Sequence, residues 1–207
     1  MKRNSLQFIV YGLLLVVVLL YLPGCAKKEI ANRDSQGEVI VCFGDSITFG
    51  YGVDAKESYP EALKKMVDMP VINAGIDGDT TKEALKRLES DVLSHKPYLV
   101  IVEFGGNDFL KKIPFADTVN NLKEIVRKIQ AAGAMVAVTD ISAGFLMREY
   151  RAPYKKIAQE TKAIFIPSIM GGIITNPRMK SDFFHPNADG YNIIASRIYR
   201  VIKPYLK

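Results

Sequence analysis

The chain has no tryptophan, two cysteines and two histidines among its 207 residues. Two cysteines, Cys25 and Cys42, are too few for the framework of a disulfide-stapled domain. Together with His95 and His185 they never approach a zinc-ligand spacing, and HExxH does not occur, so no metal is expected. GxSxG and SxxK are also absent, which excludes a nucleophile on a strained strand-to-helix elbow and a serine–lysine pair. GYGVDA (50–55) has the glycine spacing of a dinucleotide loop. Six residues separate it from the apolar run it would have to follow, however, and no acidic residue ends the next run to hold a ribose. No cofactor is expected.

No acidic residue precedes Glu29, and the net charge of +6 falls to +4 (26 basic against 22 acidic) once Lys2 and Arg3 are set aside. The remaining lysines sit in scattered pairs such as Lys64-Lys65 and Lys155-Lys156, the pattern of solvated helix faces rather than a nucleic-acid stripe. What is present at the N-terminus is an uncharged run, FIVYGLLLVVVLLYL (8–22), preceded by Lys2 and Arg3. Its 15 residues fall short of the roughly 20 that a membrane span needs and suit the core of an export signal. LPGC (22–25) resembles the lipobox of bacterial lipoproteins, with Pro23 a departure from its usual residues. That resemblance implies cleavage before Cys25 and a lipid anchor on its sulfur, holding the protein to the extracytoplasmic face of a membrane in the bacterial cell envelope. Residues 1–24 are then a signal peptide, 25–38 a polar tether and 39–207 the folded domain.

From there, short apolar runs alternate with segments of helical period. The runs are VIVCF (39–43), PVINA (70–74), YLVIVEF (98–104), MVAVTDI (135–141) and AIFIPSI (163–169). The helical segments are 57–68, 79–94, 115–132, 148–162 and 188–204. Strands apolar along their whole length and separated by helices predict an α/β fold of three layers, with a five-stranded parallel sheet covered on both faces. Cys42, inside the first run, reads as a small core residue. His95, between a helix and the third run, reads as a surface residue.

Open parallel sheets gather functional loops at the carboxyl ends of their strands. Here those loops are GDSITFGYG after the first strand, GIDGDT after the second and GGND after the third, with DFFHP just before the last helix. A serine hydroxyl at neutral pH needs an adjacent base, and an imidazole held by a carboxylate supplies one, so Ser46, His185 and Asp182 are candidates for a single site. Taken singly, each has a duller reading: Ser46 caps a helix, Asn107 and Asp108 form an Asx turn, Gly78 permits a turn, and Asp182 satisfies backbone amides. Asp45 reads as structural, holding its turn by hydrogen bonds.

Jointly, FGDSITFG, NAGIDGDT, GGND and DFFHPN resemble, in order, the four blocks of the SGNH or GDSL hydrolase family, across residues 39 to 191. GDSI stands where the family has GDSL. VEFGGNDFL and INAGIDGDTT are most similar to its bacterial thioesterase, arylesterase and lysophospholipase branch. The resemblance implies a flavodoxin-like fold and a serine hydrolase of acyl or aryl esters and thioesters, acting through an acyl-enzyme. In that scheme Ser46 attacks, His185 carries the proton and Asp182 orients the imidazole. The oxyanion is met by the backbone N–H groups of Ser46 and Gly78 and by the amide of Asn107.

For the substrate, Phe109, Leu110, Ile113, Phe145, Leu146 and Met147 line an acyl groove or pack their loops onto the helices, and Met170 and Ile173 could add another wall. A groove would suit a small-molecule ester or lipid, lysophospholipids included. The alternatives are a deacetylase of envelope carbohydrates and a tethered module that binds acyl lipid or glycan without turnover.

Overall fold

The computed structural model describes residues 29–143 and 146–207. Five parallel strands, β1 (Ile40–Gly44), β2 (Val71–Gly75), β3 (Leu99–Glu103), β4 (Met135–Thr139) and β5 (Ile164–Ile166), lie in the order β2-β1-β3-β4-β5. The apolar character of β1, β3 and β4 follows from their position, since every residue of these central strands is buried. Alternate side chains feed two cores. Ile40, Cys42, Leu99 and Ile101 join one cluster, and Val41, Phe43, Val100 and Val102 join the other.

Helices α2 (Tyr59–Lys64) and α7 (Ala188–Ile202) close the first core through residues such as Leu63, Ile194 and Ile198. Helices α3 (Thr81–Asp91), α5 (Phe115–Ala131) and α6 (Arg148–Glu160) close the second through Leu88, Leu122, Ile125 and Ile157. Local sequence sets their starts. The Thr80 hydroxyl accepts from Glu83 N–H while Glu83 accepts from Thr80 N–H, a capping box that begins α3 two residues later than its hydrophobic period suggests. Asn187 caps α7 by accepting from Gly190 N–H at 3.1 Å. Two further helices, α1 (Ser46–Phe49) and α4 (Gly106–Leu110), are too short to leave a periodic signal and escape the sequence reading.

The expected tether is corrected in part. Residues 25–28 lie outside the described residues, but from Glu29 onward the stretch is docked across the amino-terminal edge of the sheet. Ala31 N–H donates to Lys162 O ahead of β5 at 2.9 Å. The Asn32 amide donates to Gln130 O and Ala134 O ahead of β4, and Gly37 packs against the backbone of Pro97 and Tyr98 ahead of β3. Ile30 and Ser35 are buried. The stretch that suggested a solvated linker is instead tied down by the Asn32 amide and the Ala31 N–H, which satisfy carbonyls near the entries to β4 and β5. His95 is exposed on the same edge, as expected.

Candidate active site

The opposite, carboxyl edge collects the polar loops. Gly44 ends β1 where any β-carbon would collide with the Thr48 side chain, so only glycine lets α1 start here. Asp45 caps that helix by accepting from Ile47 N–H at 3.1 Å, and Ser46 is its first residue. The Ser46 N–H therefore has no partner within its own helix.

His185 approaches from the loop before α7. Asp182 fixes that loop: one carboxylate oxygen accepts the backbone N–H groups of Phe184 and His185, both at 2.8 Å. The other lies 2.7 Å from His185 Nδ1, and His185 Nε2 lies 3.0 Å from Ser46 Oγ. The Tyr51 ring packs on the imidazole with centroids 4.5 Å apart. Burial draws the Asp182 carboxyl upward. Hydrogen bonds from the His185 ring and from the two backbone amides outweigh it and hold the group below its ordinary range.

Gly78 occupies the β2–α3 turn at φ +76°, a left-handed conformation suited to glycine, and its carbonyl accepts from Lys111 Nζ at 2.7 Å. Asn107, on α4, donates to the next carbonyl, Asp79 O, at 3.1 Å and faces the cleft beside Ser46. Beneath them Asp108 is buried and accepts from Thr81 N–H, Thr81 Oγ1 and Thr118 Oγ1.

The cleft beside Ser46 and His185 is largely apolar. Phe109, Leu110, Met147 and Met170 line it with Leu146, as the groove reading expects. Ile113 does not reach the lining, and Ile173 is buried in the first core, so both are corrected. Ile174, one position on, faces the cleft where Ile173 was expected. Phe145 and Cys25 lie outside the described residues.

Two supports carry no motif of their own. Glu103 ends β3 as a buried acid whose carboxylate accepts from Thr48 Oγ1 at 3.0 Å, and it shares the cleft floor with Asp45. Burial first, then their mutual charge in the case of Asp45, raises both carboxyls above their ordinary range. Arg87 reaches from α3 to pair with Asp79 at 2.7 Å and donates to Ala74 O and Gly44 O, joining the ends of β1 and β2. Only a buried acid closing an otherwise apolar strand hinted at Glu103. Nothing in the local pattern singled out Arg87 among the charges of an amphipathic helix.

A parallel-sheet α/β domain with hydroxyl, imidazole and carboxylate in one hydrogen-bonded line beside an apolar cleft has the constellation that serine hydrolases use. The chain belongs to the GDSL-like lipase/acylhydrolase family, whose sequence pattern matches residues 42–193. It is 31% identical over 192 residues to the thioesterase 1/protease 1/lysophospholipase L1 of Escherichia coli K12, covering 89% of this chain and 92% of that one. Its fold is similar to that of the psychrotrophic esterase EstA from Pseudoalteromonas, inhibited by monoethylphosphonate. The TM-score is 0.73 at 28% identity, over 81% of this chain and 98% of that one. A shorter match, 33% identical over 104 residues, links 46% of this chain to 40% of the uncharacterized lipoprotein YqeF of Bacillus subtilis.

Proposed function

We propose that the protein cleaves acyl esters and thioesters, lysophospholipids among them, through an acyl-enzyme on Ser46. The observation that carries this reading is the line from Asp182 through His185 to Ser46 Oγ, with hydrogen-bonding distances of 2.7 and 3.0 Å. His185 Nε2 takes the hydroxyl proton as Ser46 Oγ bonds to the acyl carbon, and returns it to the leaving alcohol or thiol as the tetrahedral intermediate collapses. Water, deprotonated by the same nitrogen, then attacks the acyl-enzyme and releases the acid. Asp182 holds Nδ1 protonated and balances the transient imidazolium.

The negative oxygen of each tetrahedral intermediate is met by the N–H of Ser46, the N–H of Gly78 and the Asn107 amide. Asn107 spends one of its two amide hydrogens on Asp79 O and keeps the other for this task. Phe109, Leu110, Leu146, Met147 and Met170 receive the acyl chain. The same apolar lining favours an acyl or aryl substituent over a bare acetylated sugar.

The first 24 residues act as an export signal, and Cys25 receives the lipid that anchors the mature chain in the cell envelope. The match to a protein named as a lipoprotein is consistent with that assignment. Labelled palmitate should enter the wild type and not Cys25→Ala; equal labelling dismisses lipidation. The hydrolase reading is tested with p-nitrophenyl esters of graded chain length beside lysophosphatidylcholine. Turnover should rise with chain length and vanish in Ser46→Ala. Retained turnover in that variant refutes the mechanism.

A further inference from the structure

The structure separates the two ends of the domain that matter for an anchored enzyme. Residues 29–38 cross the amino edge of the sheet in sequence: Glu29 pairs with Lys162 at 2.7 Å, Asn32 binds ahead of β4, and Gly37 packs ahead of β3. The chain then enters β1, and every loop of the catalytic cleft leaves the other edge. Strands of five residues put those edges about 17 Å apart before any loop is added.

Only three residues, 26–28, separate Cys25 from Glu29, and the four steps from one to the other reach at most about 14 Å. A domain of about 170 residues has a radius of gyration of about 15 Å, hence a diameter of about 40 Å. So short a connection cannot carry the chain around the domain. The outcome is the same if the apolar run 8–22 is the anchor, since only six residues, 23–28, then intervene.

A second observation falls on the same axis. The large exposed apolar side chains of the described residues, Phe49, Tyr51, Phe109, Leu110, Phe183 and Phe184 foremost, all sit at the carboxyl edge around the cleft. The amino edge instead presents Glu29, Arg33, Asp34, Lys96 and Lys207.

We infer that the anchored protein turns its cleft and apolar rim away from its own bilayer, and that it takes long-chain acyl amphiphiles presented from the aqueous side. This rests on the ester-hydrolase reading above and on an N-terminal anchor. That direction lets such amphiphiles reach the cleft from a micelle or a facing surface rather than from the anchoring leaflet.

The test uses the full-length lipidated protein in vesicles, with a fluorophore on Lys96→Cys at the amino edge or on Lys112→Cys at the carboxyl edge, and an acceptor in the lipid. Energy transfer should be strong from position 96 and weak from position 112. An insertion of about 20 Gly-Ser residues after Lys28, with a reach of about 25 Å, should erase the difference. Equal or reversed transfer without the insertion overturns the inference.

A long-chain fluorogenic ester is supplied in turn in micelles, in protein-free vesicles and in the enzyme's own vesicles; the first two arms separate a micellar source from a facing membrane. Cleavage of the resident ester should rise about tenfold or more with the insertion, because a connection too short to span gives a vanishing local concentration. Resident cleavage that is fast without the insertion also overturns the inference. Hydrolysis of soluble p-nitrophenyl butyrate is read on the same preparations. Its absence refutes the hydrolase reading and leaves the orientation result standing.

Discussion

Replacing Asp182 with asparagine isolates one atom of the site. Asp182 Oδ1 holds the loop through Phe184 and His185 N–H, and an asparagine oxygen still accepts both bonds, so the loop keeps its anchor. The difference lies at Oδ2, which meets His185 Nδ1 at 2.7 Å. An amide NH₂ placed there donates, so Nδ1 becomes the acceptor and the proton moves to Nε2, which then faces Ser46 Oγ with a donor and cannot take its proton.

Two losses add: a hydrogen bond to a charged group, about 1.5–3 kcal/mol, and the cost of restoring the working tautomer against a misplaced donor, about 1–3 kcal/mol. At about 1.4 kcal/mol per decade, the sum lowers kcat by roughly a hundred- to ten-thousand-fold. Because the Asp182 side chain is 43% exposed, water replaces part of the lost charge, and the lower half of that range is expected. The assay is kcat on p-nitrophenyl butyrate, with the thermal midpoint measured alongside. An unchanged kcat refutes the tautomer argument, and so does a fall that only tracks unfolding.

If the proposed oxyanion role of Asn107 holds, Asn107→Ala should lower kcat by about a hundred- to a thousand-fold with KM nearly unchanged in steady-state kinetics. Arg87→Met leaves buried Asp79 without its partner and frees the ends of β1 and β2. A loss of about 3–5 kcal/mol in denaturant unfolding is expected, because a broken buried pair exposes its full desolvation cost. Glu103 and Asp45 have raised folded-state pKa values, so their contribution to stability is present below the ordinary carboxylate range and is lost as pH rises through the raised values. Glu103→Gln should therefore flatten the fall in denaturant midpoint above the ordinary range, and an unchanged slope would count against the buried acid pair. Asp182 has the opposite sign: its lowered value confines its loss of stability to pH below its ordinary 3.8.

The strands were legible because a doubly covered parallel sheet needs continuous apolar runs, and VIVCF and MVAVT cannot be buried on one face only. Helix ends were displaced where a cap overrode the period, as at Thr80. The short helices bearing Ser46 and Asn107 were invisible because one turn has no periodicity to read. At the site, His185 stood out as one of two histidines, and Ser46 and Asp182 because they lie in polar loops at the carboxyl ends of the strands, within blocks that resemble those of the family. Glu103 and Arg87 did not, since their roles arise from which strand ends the sheet order makes neighbours. The lining was readable to within one residue at 173 and 174, where the turn rather than the composition decides which side chain faces the cleft. The stretch 29–38 misled because the Asn32 amide binds backbone carbonyls about a hundred residues away, a partnership that no local pattern announces.

The central claim is that His185 activates Ser46 for attack on an acyl centre. Exposure of the purified protein to a fluorophosphonate, followed by intact mass and peptide mapping, tests it most directly. The account expects a single adduct on Ser46 that forms rapidly in the wild type and fails to form in His185→Ala at neutral pH. An adduct on another residue, or equal labelling without the imidazole, would contradict it.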